Sequence, residues 1–166
     1  ETCIRDRKLA KEFVEENIQV IYGGGGNGLM GHLADIIIDN GGKIKGISPK
    51  FMQDIEWTHK RLTDLEIVTT MHERKTKFLD NIDAVVALPG GCGTLDELSE
   101  AITWKRLGIL TKPIVIVNTN GFYDPLTTSS LFQQVSTDIP TRKKSCFKLT
   151  HTKKKKKKKE RKKERK

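Results

Sequence analysis

The sequence has few cysteines and no long apolar run, and each shortage excludes a class of protein. Cys3, Cys92 and Cys146 are odd in number and far apart, so they fit neither a disulfide framework nor the paired spacing of a zinc site. No apolar stretch approaches the roughly 20 residues that span a bilayer, so we expect no membrane contact. We therefore expect a reducing, cytoplasmic compartment, and an additional nuclear location is left open.

Acidic residues are scarce relative to basic ones, but only in one part of the chain. The 166 residues have a formal net charge of +10. Residues 142–166 hold 16 Lys and Arg against two Glu, whereas residues 1–141 hold 15 basic and 19 acidic residues. Seven consecutive lysines at 153–159 cannot bury apolar surface, so we predict a disordered, Lys-rich tail over 142–166. Nucleic-acid binding by this tail is an alternative that we do not favour, because no aromatic residue among the lysines offers a surface for base stacking.

Short β-branched runs alternate with helical patterns through the rest of the chain. Strands are predicted at 18–22, 43–47, 66–69, 83–88 and 113–118, and helices at 8–17, 29–40, 71–81 and 94–107. This alternation predicts an α/β domain over 1–126, with a Rossmann-like parallel sheet and helices on both faces. The run at 83–88 is almost wholly apolar, which predicts a strand buried on both faces. The segment 127–141 shows little periodicity, and its structure is left open.

Two glycine-rich loops, at 22–31 and 89–97, follow predicted strands and open predicted helices. Glycines let the backbone approach an anion, and a helix N-terminus adds partial positive charge, so the pair of loops favours a nucleotide or phosphosugar site. Tight turns of a Rossmann-like fold are the structural alternative. Neither loop is a Walker motif or matches the dinucleotide fingerprint, so the sequence gives little support to ATP hydrolysis or NAD binding.

Thr94 and Glu97 are the candidate functional side chains of the second loop. Thr94 can cap the following helix and donate its hydroxyl to a phosphate oxygen. We expect Glu97 on the first helical turn, where its carboxylate could face the phosphate site. The Thr-x-x-Glu spacing also fits a capping box, which would give Glu97 a purely structural role. Cys92 has no histidine near it in sequence, so we interpret it as a tolerated small residue rather than a nucleophile.

A third cluster, Met-His-Glu-Arg-Lys at 71–75, opens a predicted helix after a predicted strand. Its adjacent cations, Arg74 and Lys75, could clamp a phosphate. A solvated helix start is the alternative. The histidines show no spacing typical of a metal site, so we expect no metal ion; they are His32, His59, His72 and His151.

These motifs, in this order and spacing, resemble those of the LONELY GUY proteins. The likeness covers roughly residues 5–126 and includes the glycine-rich motif at 23–31, the cluster at 71–75, Pro-Gly-Gly-x-Gly-Thr-x-x-Glu at 89–97, and Gly-Phe-Tyr-Asp-Pro-Leu at 121–126. The family consists of cytokinin-activating nucleoside 5′-monophosphate phosphoribohydrolases, which are often labelled lysine decarboxylases. A lysine decarboxylase would need a pyridoxal phosphate lysine in a much larger frame, and this sequence supplies neither.

The resemblance implies hydrolysis of the N-glycosidic bond of an N6-modified adenosine 5′-monophosphate, which gives the free base and ribose 5-phosphate. It implies no cofactor, a small nucleoside monophosphate as substrate, and a homodimer. It assigns catalysis to Arg74 and Glu97. By the same resemblance, substrate contacts fall on Glu56, Arg74, Lys75, Gly91, Cys92, Gly93, Thr94, Leu95, Asp96, Glu97 and Thr103.

The sequence departs from the family pattern at its start. Family members begin with a strand that is followed by a Cys-Gly-Ser-Ser-like loop, and this sequence starts after that point, so we expect the first family strand to be missing. A non-catalytic nucleotide-binding module, or an inactive truncated paralogue, is therefore the alternative to the enzyme. The presence of both Arg74 and Glu97 favours the enzyme, whereas the missing strand favours the alternative.

Overall fold

The structure is a computed structural model that describes residues 2–53, 58–129 and 147–151. The chain divides into two compact units, Glu1–Ile82 and Asp83–Lys166. Each unit contains its own three-stranded parallel sheet, whereas the sequence predicted one sheet. The prediction of an α/β protein with parallel strands is confirmed. The nucleotide-binding domain over 1–126 remains a prediction.

In the described part of the first unit, strands and helices alternate as the hydrophobic pattern predicted. The elements are α1 (Thr2–Glu15), β1 (Val20–Tyr22), α2 (Gly28–Asp39), β2 (Ile44–Pro49), a 3₁₀ turn (Lys50–Met52), β3 (Leu65–Val68) and α3 (Met71–Leu79). Strand β2 lies between β1 and β3, with Val20 opposite Ile44 and Gly46 opposite Leu65. Because all three strands are parallel, the loops that follow them leave from one edge of the sheet, where such folds bind ligands.

The core of the first unit contains apolar residues of α2 and of the sheet. Helix α2 buries Leu33, Ala34, Ile36 and Ile37, which recur at helical spacing along one face. The sheet contributes Ile44, Ile47 and Val68. The helix ends at Asp39, and Gly41 follows with φ 71°, a left-handed conformation that glycine adopts without steric cost.

The described part of the second unit repeats this strand–helix pattern. Its elements are β4 (Val85–Ala87), α4 (Cys92–Leu107), β5 (Ile114–Asn118), a 3₁₀ turn (Thr119–Gly121), α5 (Asp124–Thr127) and β6 (Phe147–His151). Strand β5 is central, and its residues Ile114, Ile116 and Asn118 are buried. Helix α4 ends at Leu107, and the following C-cap residue, Gly108, has a φ of 81°, which again requires a residue that tolerates the left-handed region.

Two predictions about the second unit are wrong. Strand β4 is not buried on both faces, because Val86 is 39% exposed. The face of the sheet to which Val86 points is only partly covered by the described residues, and an apolar run is buried on both faces only where both faces are covered. The predicted disorder is wrong for Phe147–His151, which pairs in parallel with β5. This segment precedes the lysine run, and Phe147 and Thr150 are of residue types that are enriched in strands.

The remainder of the predicted tail, residues 142–146 and 152–166, lies outside the described residues. The same is true of most of the segment 127–141, whose structure the sequence left open. Within the ranges that the structure describes, no helix is both long enough and apolar enough to cross a bilayer. The disorder predicted for these undescribed residues, and the function of the tail, therefore remain predictions.

Candidate active site

Arg74 is buried in the first unit, with only 7% exposure. Its Nε donates to the carbonyl oxygen of Ile47 in β2 at 3.2 Å. The guanidinium carbon lies 5.0 Å from the ring centroid of Phe78, one turn further along α3. A cation removed from water needs such compensation, and an aromatic face supplies part of it. The alternative of a solvated helix start is therefore wrong for Arg74.

The first glycine loop makes room for this guanidinium. A Cβ on Gly23 would lie 2.5 Å from Nη2 of Arg74, so a larger residue would displace the arginine. A Cβ on Gly31 would lie 2.0 Å from the carbonyl oxygen of Gly26. These glycines therefore permit close packing inside the unit.

All three methionines of the sequence lie near Arg74. The sulfur atoms of Met52 and Met71 are 3.9 and 4.0 Å from its Nη1. The sulfur of Met30 lies 3.7 Å from the position that a Gly23 Cβ would occupy. Thioethers are polarizable and conformationally adaptable, so they can pack around a guanidinium without competing strongly for its hydrogen bonds. The sequence patterns did not predict this cluster of methionines, although Met30 lies in the glycine-rich motif at 23–31 and Met71 in the motif at 71–75.

Glu73 has a structural role at the start of α3. The hydroxyl of Thr70, the N-cap residue, accepts a hydrogen bond from the Glu73 N–H at 3.1 Å. The Glu73 carboxylate accepts from the backbone N–H and the hydroxyl of Thr69, at 2.9 and 2.8 Å. These bonds from Thr69, with Lys77 nearby, lower the pKa of Glu73 to about 2. The N-terminus of α3 is therefore capped by the side chains of Thr70 and Glu73.

Lys75, the predicted cation next to Arg74, is half-buried on the same helix.

Helix α4 begins at Cys92, two residues earlier than predicted, and its N-cap residue is Gly91. Thr94 is consequently the third residue inside the helix. The predicted cap at Thr94 and the capping box with Glu97 are therefore wrong, because an N-cap residue must precede the helix with non-helical backbone. Gly91 meets that condition with φ −84° and ψ −157°. Sequence reasoning favoured a hydroxyl side chain, but glycine is also accepted at N-caps.

The glycines at the start of α4 differ in their surroundings. A Cβ on Gly90 would lie 2.2 Å from Oγ1 of Thr94, so the threonine side chain packs over that glycine. Gly91 and Gly93 are exposed, and apart from chain neighbours and, for Gly93, the backbone of its own helix, no described atom lies within 4 Å of a Cβ built on either. The first N–H groups of a helix have no acceptor within it, and the helix dipole makes this end positive. The turn at 91–94 therefore offers accessible backbone to an anion.

Glu97 lies on the second turn of α4 rather than on the first, because the helix begins earlier than predicted. It is half-buried, whereas the neighbouring Leu95 and Asp96 are exposed. Cys92 is exposed as well, and its thiol is free. The turn at 91–94 and Glu97 are thus brought together on one helix, about 6 Å apart along its axis when measured from Gly93.

Thr103 does not join this group. It is exposed, and its hydroxyl donates to the carbonyl oxygen of Ser99 at 2.8 Å. Helical geometry places Thr103 about 120° around the helix axis from Glu97 and about 9 Å along it.

Glu56, also predicted to contact the substrate, lies outside the described residues. Among the side chains that the structure describes, no three His, Cys, Asp or Glu residues are grouped to hold a metal ion.

Parallel α/β units with a glycine turn at a helix start define a Rossmann-like protein. Two solved structures share this fold. The molybdenum cofactor binding protein from the phototrophic bacterium Rippkaea orientalis has a TM-score of 0.60 and 19% identity, and the match covers 80% of this chain and 77% of that one. The molybdenum cofactor carrier protein from Chlamydomonas reinhardtii has a TM-score of 0.61 and 15% identity, with 90% and 80% covered. At these identities the likeness shows the fold alone.

A profile of the family described as "Possible lysine decarboxylase" matches residues 30–159, and the chain belongs to this family. Cytokinin riboside 5′-monophosphate phosphoribohydrolase LOG2 of Arabidopsis thaliana is 46% identical over 121 residues, which are 73% of this chain and 57% of that protein. The rice enzyme of the same name, LOG of Oryza sativa subsp. japonica, is 46% identical over 118 residues, 71% and 49% of the two chains. The resemblance to the LONELY GUY proteins is thereby confirmed. The chain spans about half the length of the curated relatives it matches.

Proposed function

We propose that this chain hydrolyses the N-glycosidic bond of N6-modified adenosine 5′-monophosphates and releases the free base and ribose 5-phosphate. Relatives with 46% identity are named for a phosphoribohydrolase of cytokinin riboside 5′-monophosphate. The observation that carries the proposal is the start of α4. There the open backbone at Gly91 and Gly93 is followed, on the same helix, by the carboxylate of Glu97. This order suits a substrate with a phosphate on the sugar whose bond is to be broken.

The turn at 91–94 is the proposed phosphate site. Its donors are the N–H groups of Cys92, Gly93 and Thr94, the first three residues of α4. A helix N-terminus of this kind attracts anions through both its N–H groups and its dipole. Binding of the 5′-phosphate here would fix the position of the ribose relative to the helix, because the phosphate is covalently attached to the sugar.

Glu97 is the proposed catalytic carboxylate. Loss of a purine from ribose builds positive charge at the anomeric carbon. A nearby carboxylate stabilises that oxocarbenium-like transition state or orients the attacking water. Glu97 lies one turn beyond Gly93, about 6 Å along the axis, which leaves space for the sugar between the phosphate and the carboxylate. Asp96 and Leu95 belong to the same proposed substrate surface.

Arg74 is the second proposed catalytic residue, and Lys75 the adjacent cation of the binding site. The hydrogen bond to Ile47 and the ring of Phe78 hold the Arg74 guanidinium in one orientation. Because it is buried, its charge is less screened by water than that of a surface arginine. We propose that it stabilises negative charge on the phosphate or on the ribose oxygens of the substrate.

The test compares two carboxylates on the same helix. Glu97→Gln keeps the shape of the side chain and removes its charge, and Glu100→Gln, one turn further along α4, is the matched control. With N6-isopentenyladenosine 5′-monophosphate as substrate, chromatography of the released base should show turnover about 10²–10⁴-fold lower for Glu97→Gln. The Glu100 variant should turn over near the unmodified rate.

Two results would contradict this proposal in different ways. Near-normal turnover by the Glu97 variant would remove Glu97 from the chemistry. If the unmodified chain binds the monophosphate but releases no base, the non-catalytic nucleotide-binding module becomes the better description. Calorimetric titration of the same samples separates the two cases, because it measures binding independently of turnover.

A homodimer and a cytoplasmic location complete the proposal. Leu107 and Ile109, at the end of α4, are 67% and 63% exposed in the single chain. Exposed apolar side chains this close together support an interface with a second copy. Sedimentation equilibrium measures the mass in solution, and a monomer at high micromolar concentration would contradict the dimer.

The scarcity of cysteine supports the proposed cytoplasmic location, which cell fractionation tests.

A further inference from the structure

The motif at 121–126, to which the proposed reaction assigns no role, is linked to the strand that leads into the phosphate turn. Tyr123 in this motif is buried, with 1% exposure, and its hydroxyl donates to the carbonyl oxygen of Leu88 at 2.5 Å. The ladder between β4 and β5 extends only to Ala87, opposite Ile116. Leu88 is therefore the first residue beyond the ladder, and Tyr123 bonds it where the sheet no longer does.

Tyr123 is itself held in place by buried polar contacts. Its N–H donates to Oδ1 of Asn118 at 2.7 Å, and Nδ2 of Asn118 donates to Oδ1 of Asp124 at 2.7 Å. Asn118 is 2% exposed and is the last residue of the central strand β5. Burial raises the pKa of the Tyr123 hydroxyl, so it remains a proton donor at neutral pH. Tyr123 is thus bonded through its backbone N–H to Asn118 of the central strand, and through its hydroxyl to the carbonyl oxygen of Leu88.

Only two residues, Pro89 and Gly90, separate Leu88 from the N-cap of α4. Proline restricts the backbone, and the side chain of Thr94 packs over Gly90. The path from Leu88 to the first N–H groups of α4 is therefore short and constrained. We therefore expect that a shift of the Leu88 carbonyl would displace the turn at 91–94.

From this geometry we infer that Tyr123 is a positioning residue, which holds the turn at 91–94 in the conformation that binds the substrate phosphate. The inference rests on the proposed phosphate site. A loop that is competent only part of the time binds more weakly in proportion to the competent fraction. Loss of the Tyr123 hydroxyl should thus weaken binding of ligands that have a 5′-phosphate and leave binding of their nucleosides unchanged.

The experiment compares the two tyrosines of the chain. Tyr123→Phe removes the hydroxyl bonded to Leu88. Tyr22→Phe is the matched control, because the hydroxyl of Tyr22 is also buried but has no hydrogen-bond partner among the described residues. Calorimetry measures the affinity of each folded variant for adenosine 5′-monophosphate and for adenosine. We expect Tyr123→Phe to bind the monophosphate about tenfold more weakly and adenosine equally well, and Tyr22→Phe to match the unmodified chain.

Hydrogen exchange supplies a second readout, since a fixed concentration of adenosine 5′-monophosphate should protect the amides of residues 92–94 less in Tyr123→Phe than in Tyr22→Phe. If Tyr123→Phe does not fold, Asp124→Ala replaces it. This variant removes the exposed acceptor that orients Asn118, so we expect a smaller loss of monophosphate affinity in the same direction, with adenosine affinity unchanged. Equal monophosphate affinity in the tyrosine variants, or equal losses for both ligands, would overturn the inference.

The binding measurement also separates this inference from the proposed reaction. Absence of hydrolysis by the unmodified chain would contradict the phosphoribohydrolase, while the affinity ratio between the two ligands would still decide the role of Tyr123. If the unmodified chain binds adenosine 5′-monophosphate no more tightly than adenosine, the turn does not bind phosphate, and the positioning role is overturned with it.

Discussion

Replacement of Gly93 by alanine should raise the stability of the chain and at the same time lower its proposed catalytic activity. Gly93 is the second residue of α4, and no described atom beyond its neighbours lies within 4 Å of an added Cβ. Alanine is favoured over glycine inside a helix by up to about 1 kcal/mol, so we expect a gain of about 0.5 kcal/mol near the helix end. The new methyl group points toward the helix N-terminus, because every Cα–Cβ bond in a helix is tilted that way. It therefore enters the space proposed for the phosphate.

The cost to function follows from the hydrogen bonds that the methyl group prevents. A hydrogen bond to a charged group contributes about 1.5–3 kcal/mol, and loss of one such bond lowers kcat/KM by roughly 10–100-fold. The assay is urea unfolding combined with kcat/KM for N6-isopentenyladenosine 5′-monophosphate. Ser99→Ala, an exposed site on the same helix, is the control that should raise stability without loss of activity. Full activity in Gly93→Ala would refute the phosphate site, and a loss of stability would refute the open space at Gly93.

Three further predictions concern the stability of the chain and its C-terminal segment. The pKa of Glu73 is lowered from its ordinary 4.5 to about 2, so this carboxylate stabilises the fold above about pH 4.5 and its contribution is lost as the pH falls toward 2. Chemical unfolding of Glu73→Gln should consequently show lower stability than the unmodified chain at pH 7 and a difference that disappears near pH 2; a constant difference would contradict the capping role. Truncation after His151 should preserve affinity for the monophosphate at about 0.15 M salt, where the Debye length is about 8 Å. Truncation after Thr141 also removes β6 and should lower the unfolding free energy by about 2–5 kcal/mol, since several ladder bonds at about 1 kcal/mol each are lost; equal stability of the two truncated chains would refute the pairing of β6 with β5.

Local signals were sufficient to locate most elements. The apolar residues of α2 recur at helical spacing, and β5 contains four consecutive β-branched residues, so both elements were predicted within a few residues of their bounds. The start of α4 was predicted less well. A threonine inside the helix has the same side chain as one that caps it, and only the backbone angles of Gly91 distinguish the two.

The sequence by itself determined the α/β alternation, the two glycine loops and the family motifs, because each depends on residues close together in the chain. Tertiary structure decided what those residues do. The burial of Arg74 depends on Ile47, which is 27 positions away, and on the space left by Gly23. The bond from Tyr123 to Leu88 joins residues 35 positions apart. Pairings over such distances are selected by packing of whole elements, so periodicity and spacing, which are local, could not predict them.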